Sequence, residues 1–171
     1  LENNFKVICV DSLIYSQKEC IKGFLNNKNY EFIESNIANI NQDILKKVKN
    51  VIILSGLVGD PITKKYPEDS EKNNFYEIKF FIDSCNKKNL DKLIFISTCS
   101  NYGIVPEGVL ADENYELRPL SSYAKHKVEI EKYIMSLDGK SDYSPTILRF
   151  ATAFGLSSRM RFDLTVNQFT K

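Results

Sequence analysis

The sequence has almost no net charge: 23 Lys+Arg stand against 22 Asp+Glu in 171 residues, a formal +1 at pH 7. Nucleic acid and anionic membranes select strongly basic, clustered surfaces, so neither is an expected partner. Histidine occurs once, as His126, and the four cysteines (Cys9, Cys20, Cys85, Cys99) include no CxxC pair. That set excludes an ordinary zinc site, no metal is expected, and the thiols read as reduced cysteines of a cytoplasmic protein. No apolar run approaches the roughly 20 residues that a membrane helix needs. The stretch Val7–Val10 is too short for the core of a signal peptide and runs into Asp11. Glycine is scarce, with seven residues, and arginine scarcer, as Arg118, Arg149, Arg159 and Arg161.

What is present suits one globular domain with a core: 43% of the residues are hydrophobic and 26% charged. Apolar, β-branched runs predict strands at Phe5–Asp11, Tyr30–Ile33, Val51–Ser55, Lys92–Cys99 and Pro145–Phe150. Between them, helical spacing marks Ile44, Leu45 and Val48, then Phe75, Ile78, Phe81, Ile82 and Cys85, then Ile130, Ile134 and Leu137. Near-continuous apolar strands alternating with amphipathic helices predict an α/β fold, a doubly wound parallel sheet. The polar stretch Asp60–Asn74 reads as a loop, and from Gly155 onward the pattern breaks down before a segment that reads as helical.

Chemistry concentrates in Ser121-Ser122-Tyr123-Ala124-Lys125-His126-Lys127. Tyr123 and Lys127 are spaced i, i+4, so one helix face brings an ammonium near a phenol. A nearby positive charge favours the phenolate and lowers the tyrosine pKa toward the working range of an acid–base catalyst. A surface tyrosine stacked on a lysine stem has the same spacing. The strand before it, Ile94-Phe95-Ile96, emerges into the hydroxyl cluster Ser97-Thr98-Cys99-Ser100. Ligands of open α/β sheets bind beyond the carboxyl ends of strands, where the Thr98 hydroxyl could hold a substrate oxygen against Tyr123. Hydroxyls there also serve to close turns.

Several motifs in order resemble the extended short-chain dehydrogenase/reductases, specifically the NAD-dependent epimerase/dehydratases acting on nucleotide sugars. They are VxxxD at Val7–Asp11, LSGLVGDP from Leu54, STCSNYG from Ser97, YAKHK at Tyr123–Lys127, PTILRFATAFG from Pro145, and RMRFDL from Arg159. The resemblance runs from Phe5 to about Phe169 and implies a Rossmann-like fold with NAD as cofactor. It implies that Tyr123 is the catalytic acid/base, that Lys127 tunes it and holds the nicotinamide ribose, and that Thr98 is their catalytic partner. Asp11 matches the acid that receives the adenosine ribose hydroxyls and disfavours a 2′-phosphate; a turn aspartate would occupy the same place. Asn36 and Ile37 match the adenine contact, with asparagine where the family has aspartate. Leu54, Ser55 and Gly56 match the backbone strip under the cofactor, Asn74 an asparagine opening the long helix, and Phe150 and Thr152 the nicotinamide and substrate end. Arg159 and Arg161 fall where such enzymes approach the sugar nucleotide, and arginine suits a diphosphate; ordinary surface charge is the alternative.

The family's Gly-rich phosphate turn has no counterpart, because Gly56-Leu57-Val58-Gly59 lacks its spacing and follows a different strand. The expectation is a chain lacking the first strand and turn. In the order 3-2-1-4-5-6, that strand would lie between Phe5–Asp11 and Val51–Ser55. Residues 1–155 are then an incomplete NAD-binding domain and 156–171 the start of a substrate-binding region, from a parent expected to be a homodimer. Of the family's reactions, epimerisation of a nucleotide sugar ranks first. A 4,6-dehydratase needs a further acid and base, carried in similar dehydratases by an Asp-Glu pair after the threonine, where this chain has Cys99 and Ser100. A 4-ketoreductase, or a dinucleotide-binding protein without turnover, are the other readings.

Overall fold

The computed structural model describes residues 1–86, 89–157, 160–162 and 164–170. The chain divides into two compact units, Leu1–Ile40 with Thr152–Lys171, and Asn41–Ala151. All five strand runs expected from the sequence form strands, in two parallel sheets.

In the first unit, β1 (Val7–Asp11) pairs with β2 (Tyr30–Glu34) from Val7↔Tyr30 to Asp11↔Glu34. The short helix α1 (Glu19–Lys22) lies in the connection. After β2, Asn36 opens a 3-10 turn over Ile37–Asn39 by accepting the Ala38 N–H on its side chain at 2.8 Å. The C-terminal part contains α7 (Thr165–Phe169), whose buried Asn167 accepts the Gly155 N–H at 3.2 Å and donates to the Arg161 carbonyl at 3.0 Å. A buried side-chain amide thus replaces the backbone ladder that this irregular tail lacks.

The second unit opens with α2 (Gln42–Leu45), capped by Asn41, and carries the sheet β3 (Asn50–Ile53), β4 (Lys92–Thr98) and β5 (Ser144–Phe150), in that order and all parallel. β3 is shorter than its apolar run: Leu54 and Ser55 already lie in the loop. Along β4, Leu93, Phe95 and Ser97 are buried while Ile94, Ile96 and Thr98 on the other face are half-buried, the alternation a pleated strand imposes. Helix α6 (Ser122–Ser136) packs on β4 and β5. Its start is fixed by Ser121, whose hydroxyl accepts the Ala124 N–H at 3.2 Å.

The stretch Asp60–Asn74 is helical rather than a loop. It forms α3 (Asp60–Lys65) and α4 (Pro67–Glu71), then a π turn (Lys72–Tyr76) that continues into α5 (Glu77–Cys85). Pro61 and Pro67 stand in the first turns, where a missing N–H costs nothing and the fixed φ favours a helix. The buried face is made of Thr63, Ser70 and Asn74, and only from Ile78 does it become apolar. Helical spacing is present, but polar side chains carry it, so a search for apolar periodicity passes over it. Among the described residues, no helix is long and apolar enough to cross a membrane.

At the end of β4 the chain turns through a 3-10 helix, Cys99–Tyr102, and Gly103, at φ 70. The segment returning before α6 docks on this turn, with the Arg118 N–H donating to the Asn101 carbonyl at 3.0 Å. A Cβ on Gly103 would stand 2.2 Å from the Arg118 carbonyl oxygen. Gly103→Ala is therefore expected to lose on the order of 1–3 kcal/mol of stability. Urea unfolding checks this, and an unchanged midpoint would show that the two segments do not approach so closely.

Candidate functional site

The two members of the Tyr123–Lys127 pair share one face of α6, and Lys127 is the better fixed. Its side chain is 3% exposed, and Nζ donates to the Ile96 carbonyl at 2.8 Å, two residues before Thr98 on β4. The ammonium also lies 4.5 Å from the Phe95 ring centroid and 5.8 Å from that of Tyr123. A cation held against two ring faces and a carbonyl is solvated by the protein in place of water. Burial nevertheless pushes Lys127 down to about 8, with the Glu131 carboxylate pulling it back up. Tyr123 is half-buried in the first turns of the helix. Thr98 ends β4, half-buried, and its hydroxyl accepts the Ser100 N–H at 3.2 Å. The turn reading of Thr98 thus holds beside the functional one: the bond fixes the side chain at the strand end.

Asn74 acts on the loop after β3. Fully buried, it accepts the Leu57 N–H at 2.7 Å and donates to the Leu57 carbonyl at 3.0 Å and to Ser70 Oγ at 3.1 Å. Its amide is a backbone staple for the strip Leu54–Ser55–Gly56. Gly56, at φ 138, leaves room for it, since a Cβ there would stand 2.6 Å from Asn74 Oδ1. Leu54 and Phe150, at the ends of the runs on either side of β4, are 68% and 50% exposed.

The other candidates lie in the first unit. Asp11 ends β1, where its Oδ1 accepts the Leu13 N–H at 2.7 Å, so it is a turn aspartate as well as a strand-end carboxylate. Asn36 and Ile37 form the start of the 3-10 turn after β2. Thr152 is exposed, and Arg161 is half-buried with its carbonyl held by Asn167. Arg159 lies outside the described residues. Among the described residues, no group of three or more His, Cys, Asp or Glu side chains could hold a metal ion.

Sequence reasoning missed a buried polar cluster beside Lys127. Arg149, within β5, donates to Glu131 of α6 through Nη2 at 2.7 Å and Nε at 3.1 Å, and through Nη1 to the Tyr102 hydroxyl at 3.2 Å. Ser97 Oγ also donates to Glu131, and Asn101 Nδ2 donates to it at 2.7 Å. Two signals pointed there. Arg149 interrupts an apolar strand, and Lys127 and Glu131 sit inside the stripe Ala124, Val128, Ile130 and Ile134 that α6 buries.

Comparison with known proteins gives a consistent set. The model of the NAD dependent epimerase/dehydratase family matches residues 1–170. A putative UDP-glucose 4-epimerase of Methanocaldococcus jannaschii is 26% identical over 158 residues, 91% of this chain and 50% of that protein. The crystal structure of UDP-glucuronic acid 4-epimerase from Bacillus cereus, in complex with UDP-glucuronic acid and NAD, superposes with a TM-score of 0.86 at 26% identity, over 98% of this chain and 55% of that one. UDP-N-acetylglucosamine 4-epimerase from Methanobrevibacter ruminantium M1, in complex with UDP-N-acetylmuramic acid, gives 0.75 at 26% identity, over 84% and 46%. The chain spans about half the length of these relatives.

The desolvated ammonium has a measurable consequence. Between about 8 and 10.5 the folded chain has released the Lys127 proton while the unfolded chain still binds it. The contribution of Lys127 to stability therefore rises with pH across that window, and below it the fold carries the full cost of a buried cation. Relative to the parent, Lys127→Met is expected to be favoured most below the window and progressively less through it. Urea unfolding of both proteins across that range checks this; a gap independent of pH would show the ammonium to be solvated.

Proposed function

The chain belongs to the NAD dependent epimerase/dehydratase family, and from that premise we propose that the whole protein is an NAD-dependent nucleotide-sugar epimerase using Tyr123, Lys127 and Thr98. The observation that carries this reading is the Lys127 ammonium, buried at the end of β4 beneath the tyrosine of its own helix face. A cation is seldom desolvated without a task, and perturbed groups cluster at functional sites. Here it would stabilise the phenolate of Tyr123, which takes a proton from the sugar hydroxyl and returns it. Thr98 would hold the oxygen concerned, and Thr152, Arg159 and Arg161 would belong to the substrate end.

The chain's residues fit part of the cofactor. Lys127 and Tyr123 supply a donor pair for the nicotinamide ribose, and Asp11 supplies a strand-end carboxylate for the adenosine ribose. Leu54–Ser55–Gly56, stapled by Asn74, offers a fixed backbone strip, with Asn36, Ile37 and Phe150 as further contacts. The diphosphate finds no Gly-rich turn in this sequence. When bound, NAD supplies the acceptor for the hydride of the oxidised sugar carbon and the donor for its return. Epimerisation is favoured over 4,6-dehydration because Cys99 and Ser100, exposed after Thr98, carry no carboxylate to remove a further proton and expel a hydroxyl.

Incubating the whole protein with UDP-glucose, UDP-glucuronic acid or UDP-N-acetylglucosamine and following the C4 epimer by NMR tests the function; no epimer from any nucleotide sugar would overturn it. Tyr123→Phe is expected to lower kcat by about 10²–10⁴-fold while leaving NAD binding nearly intact, since only the proton-transfer group is removed. An undiminished kcat would refute the role of Tyr123. Asp11 is expected to make the protein prefer NAD, because a carboxylate accepts two ribose hydroxyls and repels a 2′-phosphate. Titration with both cofactors decides it, and tighter NADP binding would remove Asp11 from that role.

A further inference from the structure

The cluster around Glu131 has a geometry that the acid–base pair alone does not explain. Glu131 follows Lys127 by one turn of α6 and is 3% exposed. Its carboxylate gathers donors from three other elements: Arg149 of β5, Ser97 near the end of β4, and Asn101 of the turn that follows. Arg149 extends the net to the Tyr102 hydroxyl and to the Glu113 carbonyl, each at 3.2 Å. One carboxylate therefore ties the strand ending in Thr98, its turn and the adjacent strand to the helix of Tyr123 and Lys127. As a source of stability alone, a buried ion pair is matched by apolar side chains of similar shape. Apolar side chains cannot place a negative charge one helical turn from a desolvated ammonium.

We propose that Glu131 is a positioning residue of the catalytic centre, clamping the Thr98 strand end to the helix of Tyr123 and Lys127 and setting a negative charge one helical turn from the Lys127 ammonium. The significance of Lys127 rests on the epimerase reading above. On its own helix Lys127 faces Tyr123 and Glu131; Arg149 from β5 and, through it, Tyr102 of the turn after β4 engage Glu131. The helical segments packed on α6 from the other side bury Thr63, Ser70 and Asn74, which do not titrate. From α5 they bury Ile78, Phe81, Ile82 and Cys85, and the charged groups Asp83 and Lys79 engage Tyr133 farther along α6. Glu131 is the carboxylate that acts on the ammonium.

The test is an NMR titration of the whole protein with lysine labelled at the ε-carbon, the Lys127 signal being identified by its loss in Lys127→Met. Glu131→Gln is expected to lower the Lys127 midpoint by about one pH unit. The alkaline limb of kcat should fall with it, with KM for the nucleotide sugar little changed. Glu131→Asp, which keeps the charge, is expected to restore both. Removing one partner of a buried pair endangers folding, so the double variant Glu131→Gln/Arg149→Met, which strands neither charge, is titrated as well and should shift in the same direction. A Lys127 midpoint equal to the parent's in either variant overturns the proposal. If the parent epimerises no nucleotide sugar, the functional reading fails, while the NMR midpoint still decides the link between Glu131 and Lys127.

Discussion

Burying the Lys127 ammonium constrains much of the second unit. A desolvated cation needs acceptors close by, and the nearest is a backbone carbonyl near the end of β4. The Ile96 carbonyl serves because α6 crosses β4 at that level, which in turn requires the helix to begin at the Ser121 cap. The countercharge, Glu131, then needs its own partners, and each of these lies where a strand ends or a turn begins. The polar interior is thus an ordered sequence of requirements. Lys127 calls for Glu131, and Glu131 calls for Arg149, Ser97 and Asn101. Two of the four elements that meet there, β4 and α6, carry Thr98 and Tyr123.

A second feature is the use of buried asparagine in place of backbone ladders. Asn74 satisfies both polar groups of Leu57, and Asn167 holds Gly155 and Arg161, in segments where the chain has left regular structure. A carboxamide presents a donor and an acceptor in one plane, as a peptide does, so it closes such segments without leaving unpaired groups. In Asn74 this duty reaches the candidate site. The staple fixes the strip after β3, and Gly56 is required there by Asn74 itself, whose Oδ1 occupies the space of a Cβ.

The strands were legible because parallel strands are written as near-continuous apolar runs, and each of the five runs formed one. The placement of Tyr123 and Lys127 on one helix face was legible from their spacing, and that of Thr98 at a strand end from the apolar run before it. The helices from Asp60 to Asn74 were not, because Thr63, Ser70 and Asn74 form a buried face that hydropathy scores as surface. Glu131 and Arg149 escaped for a related reason. Each looks solvated when taken singly, and the information lies in where they interrupt an apolar pattern, at the centre of the α6 stripe and inside β5.

The same interior bears on the choice of reaction. The polar groups of this region have two addresses: buried and hydrogen-bonded to Glu131, or at the strand end with Thr98 and Tyr123. The buried carboxylate is occupied by its donors and joined to Arg149, so it is engaged in orientation and cannot leave to abstract a proton from a substrate carbon. At the strand end, the residues after Thr98 are a thiol and a hydroxyl. In the proposed mechanism, proton transfer then falls to Tyr123 among the groups placed at this strand end. One acid–base group suffices for oxidising an alcohol and returning the proton after the intermediate has turned over, whereas elimination of water across two carbons requires more. On the reading proposed above, that distribution of charge, rather than the fold shared by the whole family, is the ground for ranking epimerisation over dehydration.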